Sequence, residues 1–175
     1  MTDPLSEVLR SIRLKGGVFL DAYFTQPWCV LSQITADDCR FALPAATQVI
    51  AYHFIIDGRF FLTIEGESPI EVRTGEAVLL PRNDPHTLAG ASGLTPIDAR
   101  DLIQPSVDGG LARISHGGGG EPVHLVCGFL ASEDLYNPLI ATLPRVLKLD
   151  VRQGASRDWV EASVRFAASE LTKGR

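Results

Sequence analysis

Between residues 18 and 89 the chain is cut into short apolar runs by closely spaced turn residues, and this punctuation constrains the fold more than any other feature. The runs 18–24, 29–34, 39–43, 48–56, 60–64, 70–73 and 77–80 carry period-two patterning or are rich in β-branched and aromatic residues. Gln26-Pro27, Asp57-Gly58, Gly66-Glu67-Ser68-Pro69, Thr74-Gly75 and Asn83-Asp84-Pro85 separate them with residues that preset or tolerate turn dihedrals. Many short strands at this spacing predict an antiparallel sandwich or barrel. The 175 residues match one domain. A chain of that size buries roughly 68–70% of its unfolded surface, enough for a core without disulfide or metal staples.

The flanks read differently. Asp3 caps a first helix, Pro4 stands where a missing N–H costs nothing, Leu5, Val8, Leu9 and Ile12 form its apolar face, and Gly16-Gly17 ends it. Residues 89 to 121, ending in His116-Gly117-Gly118-Gly119-Gly120, read as one long connection. Its glycines lack the Lys-Ser/Thr of a phosphate cradle. A late strand is expected over 123–130, a short helix over 138–143 stopped by Pro144, and an extended piece over 146–149. A terminal helix starts at Asp158 with Glu161 in the capping-box relation and lines Trp159, Val160, Ser163, Phe166, Ala167 and Leu171 along one side. The expected division is a barrel domain over 1–155 and a C-terminal helix over 156–175.

Charge and cysteine usage exclude several classes. With 16 Lys+Arg against 21 Asp+Glu the formal charge is -5, so the chain offers phosphate backbones no general attraction and nucleic acid is not an expected partner. The start Met1-Thr2-Asp3-Pro4 has no export pattern, no window approaches the length of a spanning helix, and a membrane is not expected either. Cys29, Cys39 and Cys127 are odd in number, widely spaced and without a CxxC, which fits a reducing, cytoplasmic setting.

The string from Gly75 through Leu80, Pro81, Arg82, Asn83 and Pro85 to His86 resembles the second motif of the cupin superfamily: Gly, five residues, Pro, one residue, Gly, two residues, His. Asn83 replaces the second glycine and tolerates the left-handed backbone better than most residues. The first cupin motif is half present, with His53 as its opening histidine and Gly66 as its closing glycine. Ile55 stands where the family places a second histidine, and Arg59 stands near the expected glutamate. Two of the usual four metal ligands are therefore missing, which speaks against an iron or manganese oxygenase site.

A wider resemblance is to the cupin-type N-terminal domain of AraC-type transcriptional regulators. Asp3-Pro4-Leu5-Ser6, Arg13-Leu14-Lys15-Gly16-Gly17-Val18-Phe19, Pro27-Trp28, His53, Gly66, the Gly75 to His86 string and Gly117 to Gly120 carry it, with Leu125 to Phe129, Asn137-Pro138-Leu139 and Leu143-Pro144. The resemblance implies a mainly β fold, a cupin-like antiparallel β-barrel (double-stranded β-helix) with flanking helices. It also implies a small-molecule effector, a homodimer and a following helix-turn-helix region. The sequence ends at Lys173-Gly174-Arg175 with no basic recognition helix inside it, so these residues are not expected to bind DNA by themselves.

Strand parity sorts the candidate site. Val123, Leu125, Cys127 and Phe129 share one face, taken as inward, and His124 shares the other. His53 alternates with Val49, Ala51 and Ile55 and points into the barrel. His53, His86 and Cys127 are thus expected to converge as a candidate Zn2+ set, with water, Cys39 or an effector group as a fourth ligand. Such a zinc would be structural, because no general base is placed beside it. His53, Tyr52, Trp28 and His86 are the candidate effector-binding residues of the interior. The expected function is a non-catalytic sensor and dimerisation domain; the alternative is a metal-dependent cupin enzyme acting on a small molecule.

Overall fold

Alternating burial turns the punctuated runs into two facing sheets. The computed structural model of the chain describes residues 15–35, 48–105, 111–132 and 138–151. Within them lie β1 (Lys15–Thr25), β2 (Cys29–Ser32), β3 (Gln48–Asp57), β4 (Arg59–Ile64), β5 (Ile70–Arg73), β6 (Glu76–Leu80), β7 (His86–Ala89) and β8 (Ile97–Asp98). A 3-10 turn (Ala99–Leu102), β9 (Ala112–Gly117), β10 (Pro122–Ser132), the short helix α1 (Pro138–Thr142) and β11 (Leu147–Asp150) follow. The initial helix, the strand expected over 39–43 and the terminal helix of 156–175 fall outside the described residues.

One sheet has the order β11-β6-β3-β10-β1-β9 and the other β5-β4-β7-β2-β8. In β4 the side chains of Phe60, Leu62 and Ile64 are buried while the residues between them are not, the period-two signature of a strand with one face on the core. Those three meet Ala51, Ile55 and Leu125 of the first sheet in the main apolar cluster. Strand β3 is buried on both faces from Phe54 to Ile56, because Phe54 and Ile56 join Ala77, Val126 and Leu111 in a second cluster on the outer side of the first sheet. That is why its sequence runs apolar without alternating.

Three expectations are corrected. Gly16 and Gly17 do not end a helix in the described structure; they lie inside β1, which begins at Lys15. A Cβ on Gly16 would strike the backbone carbonyl of Phe129 in the neighbouring strand, so close strand approach is what the glycine permits. The sheets are mixed rather than wholly antiparallel, since β1 pairs β9 and β2 pairs β8 in parallel. Both added strands come from the segment expected to be one long connection. A parallel neighbour needs a long crossover, and a length of chain free of tight hairpins supplies it. Strand β9 alternates in burial, but Ile114 is its single fully buried residue, so its sequence shows little apolar contrast.

Turn chemistry behaves as read. Gly58 has φ 89, and Asn83, with φ 50, is the one non-glycine residue at positive φ among the described residues. No helix among the described residues is long and apolar enough to cross a membrane.

Phe60 is fully buried, with Trp28 set edge-on at a centroid distance of 6.4 Å. Replacing Phe60 by Ala is expected to cost about 3–5 kcal/mol in chemical denaturation, the usual range for emptying a ring-sized core site. A cost under about 1 kcal/mol would contradict this placement of the core.

Candidate ligand-binding site

The site is assembled from three strands of two sheets. His53 on β3 and Cys127 on β10 stand directly opposite one another in the antiparallel ladder. His86 opens β7 in the other sheet, where its backbone faces Ser32 of β2 and Ile64 of β4. The side chains meet in the core: His53 Nδ1 is 3.0 Å from Cys127 Sγ, and His53 Nε2 is 2.8 Å from His86 Nε2. His86 Nδ1 lies 2.9 Å from the carbonyl oxygen of Asp84.

These contacts fix every proton along the chain. A carbonyl only accepts, so His86 Nδ1 carries a hydrogen and donates it to Asp84. A neutral His86 then has a bare Nε2, which accepts from His53 Nε2–H. His53 Nδ1 is in turn bare and accepts from the Cys127 thiol. The order is Cys127 S–H to His53, His53 to His86, His86 to the backbone, with all three side chains neutral.

Burial enforces that neutrality. His53 is 2% exposed and His86 1%. Desolvation, and then the nearby His86 ring, hold the His53 pKa well below its ordinary 6.5. Desolvation also lowers that of His86, partly opposed by the Asp84 carbonyl and carboxylate. The Cys127 thiol is pushed above its ordinary 9.0, first by burial and then by the charge of Asp21.

Beside this chain lies a cavity of about 190 Å³. Its walls are apolar, with Phe19, Phe24, Ile114 and Leu125 among them, and His53 and Cys127 form its polar inner spot. Ser32, Gln33, Asp98 and Arg100 give it a polar side. There Arg100 grips Asp98 through Nη2 at 2.7 Å and Nε at 3.1 Å, and these bonds hold the Asp98 carboxyl down to about 2.

The structure brings His53, His86 and Cys127 together as the sequence suggests, but in a line instead of around a point. Zinc would need nitrogen and sulfur donors on one centre at about 2.0–2.3 Å. His53 gives a different ring nitrogen to each neighbour, so a single ion cannot replace both contacts. Among the described residues no group of three His, Cys, Asp or Glu side chains is placed to hold a metal ion. As arranged, the three do not fit one metal. The two positions where the cupin motif would place further ligands are equally unhelpful: Ile55 is fully buried in the core, and Arg59 is on the surface, 3.2 Å from Glu71.

The effector candidates divide. His53 lines the cavity, whereas His86 stands behind it and reaches the cavity only through His53. Trp28 is corrected to a core residue, stacked on Phe24 at 4.1 Å and absent from the cavity wall. Tyr52 is corrected as well. It neighbours His53 in sequence and so faces the opposite side of β3, where its ring lies across Gly128. His124 faces outward as parity suggests, and its Nε2 meets the buried Asp21 at 2.7 Å.

Sequence reasoning missed two groups. One is the polar side of the cavity, Asp98 and Arg100, hidden in a segment read as plain connection. The other is Asn83, whose side-chain amide pairs with the backbone of Ile34: Oδ1 accepts from the Ile34 N–H at 3.3 Å, and Nδ2 donates to the Ile34 carbonyl. Ile34 lines the cavity, so the residue that replaces a motif glycine also fixes part of the wall. The signal was the Asn itself, which offers both a tolerated positive φ and a backbone-like amide.

A family model described as Cupin matches residues 3–175. No curated protein matches the chain.

The neutral chain makes stability dome-shaped in pH. Both histidines bind protons more weakly folded than unfolded. Stability is therefore full above 6.5 and is lost as pH falls from there toward the depressed native values, by up to about 1.4 kcal/mol per pH unit for each histidine. The thiol binds its proton more tightly when folded, so its contribution is present below 9.0 and fades as pH rises past it. Denaturation series in urea from pH 4 to 10 are expected to show both limbs, with Cys127→Ala flattening the alkaline one. A Cys127→Ala curve that keeps the full alkaline loss would contradict the assignment.

Proposed function

The chain belongs to the cupin family, and from that premise we propose that it is the effector-binding domain of an AraC-type transcriptional regulator, a sensor and not an enzyme. The observation that carries this reading is the largely apolar cavity inside the barrel, with a polar spot at His53 and Cys127 and a polar side at Asp98 and Arg100. An apolar cavity of roughly 150 Å³ takes up benzene. At about 190 Å³ this one suits a one-ring or short-chain molecule with a hydrogen-bonding group at one end. Apolar lining with a few aimed polar groups is the usual make-up of small-molecule sites.

The polar chain supports holding over turnover. It is internally satisfied: each donor has its acceptor within 3.0 Å, so none is left poised toward a substrate without first breaking a bond. An effector acts only if it prefers one arrangement of the domain over another. The loop 81–86 is placed to feel such a preference. Asn83 holds Ile34 of the cavity wall, and three residues on His86 holds His53. Between them Asp84 meets Arg145, which follows α1, at 3.0 Å. A shift at the wall is thereby offered to the segment that leads on to the C-terminal residues. A homodimer, and DNA binding by a separate helix-turn-helix region, complete the proposed setting.

Thermal-shift screening of the purified chain with one-ring and short-chain compounds tests the reading. Saturable stabilisation is expected, growing with ligand concentration by mass action, and lost in Ala112→Phe, which puts a ring into the cavity wall. Metal analysis of the same preparation is expected to find no stoichiometric iron or manganese. Stoichiometric redox metal together with turnover of a small molecule would overturn the sensor in favour of a metal-dependent cupin enzyme.

A further inference from the structure

Cys127 and His53 form a thiol–imidazole pair, and both residues line one ligand-sized, largely apolar space. Cys29, the other described cysteine, has no such setting. Its neighbour Val30 lines the cavity, while Cys29 itself borders a separate hollow beside Thr63 and Thr87 with no histidine at its edge. Cys127 is thus singled out by place, partner and access to a ligand.

The proton order gives the pair a direction. The thiol hydrogen already points at a bare Nδ1, so His53 is the base for Cys127 and not its donor. When His53 takes that proton, its Nε2–H remains bonded to His86, and His86 remains bonded to the Asp84 carbonyl. The new charge is shared along a row of oriented dipoles instead of standing alone in the core. The same burial that keeps the resting thiol protonated keeps it unreactive toward polar reagents in bulk water. Reaction therefore requires an electrophile that first enters the apolar cavity, where proximity raises its effective concentration.

We infer that Cys127 is a covalent attachment site for small apolar α,β-unsaturated carbonyl compounds, with His53 as its base. In the step the Cys127 sulfur bonds to the β-carbon of the ligand, and the thiol proton passes to His53 Nδ1. The carbon–carbon π pair moves toward the carbonyl as an enolate, and His53 returns the proton to the α-carbon. No oxidant or further reactant is needed, and His53 ends as it began. This deepens the effector reading and rests on it, since the ligand must occupy the proposed cavity before bonding.

The test uses the full chain with benzylideneacetone, a one-ring enone, and its saturated twin 4-phenylbutan-2-one, which can fill the cavity but cannot add a thiol. Adducts are located by peptide mapping after denaturation, and acrylamide serves as the polar control. The enone is expected to label Cys127 ahead of Cys29, while acrylamide shows no preference for Cys127. Compared at saturating enone, so that weaker binding is separated from loss of the base, His53→Gln is expected to slow the labelling of Cys127 by about 100-fold, the lower range for loss of a general base. Ala112→Phe leaves both reacting residues unsubstituted while filling the cavity they line, and is expected to abolish labelling. If the twin stabilises the protein but Cys127 stays unlabelled, or labels as fast in His53→Gln, the covalent inference is overturned and the cavity reading stands. If neither compound engages the protein, both fall. Labelling undiminished in Ala112→Phe overturns the inference too, since the ligand would not be reacting from the cavity.

Discussion

A single hydrogen bond between two imidazoles joins the two sheets through an otherwise apolar interior. His53 belongs to one sheet and His86 to the other, and their Nε2 atoms meet at 2.8 Å. An orphaned donor or acceptor at that depth costs about 1–3 kcal/mol, a cost that falls on the unpartnered Trp28 Nε1 but is avoided by these paired rings. The bond is thus part of a chain that must be complete or absent. Cys127 closes it at one end and the Asp84 carbonyl at the other. The carbonyl end rests on a turn held open by Asn83 at positive φ. The side chain of Asn83 then secures the cavity wall at Ile34, and Arg145 clasps the Asp84 carboxylate from outside. Turn, cavity wall and polar interior are one connected arrangement.

That arrangement bears on the chemistries that the family resemblance leaves open. A metal site would draw three or more donors onto one point, whereas here the donors saturate one another along a line. The proposed sensor rests on the same feature: a closed, neutral chain beside a largely apolar hollow would recognise a ligand by shape and by few polar contacts. A thiol whose base is already in place adds a second, covalent way of registering the same ligand.

Much of this was legible in the sequence, for identifiable reasons. Period-two parity put His53 and Cys127 inside and His124 outside, and all three stand where parity says. The glycine-to-histidine string located the turn that delivers His86. Parity also held the answer for Tyr52, since the neighbour of an inward His53 must face out, and aromatic character drew the wrong conclusion. Trp28 was named for the pocket although a ring in a small barrel is more often core, and its stack on Phe24 places it in the core. The parallel partners β8 and β9 were hard to see: β8 has two residues and no buried one, and β9 alternates in burial but buries only Ile114 fully. What sequence could not give was the linear order of the three polar side chains. Their convergence is a matter of face, but line or triangle depends on ring orientation, which no pattern of residue types encodes.

Ring-nitrogen NMR of the histidines at neutral pH tests this order most directly. The account predicts neutral rings at both buried positions in opposite tautomers, His53 carrying its hydrogen on Nε2 and His86 on Nδ1, unchanged by added chelator. Protonated rings at either position, the reverse tautomers, or shifts that respond to removal of a bound metal would contradict it.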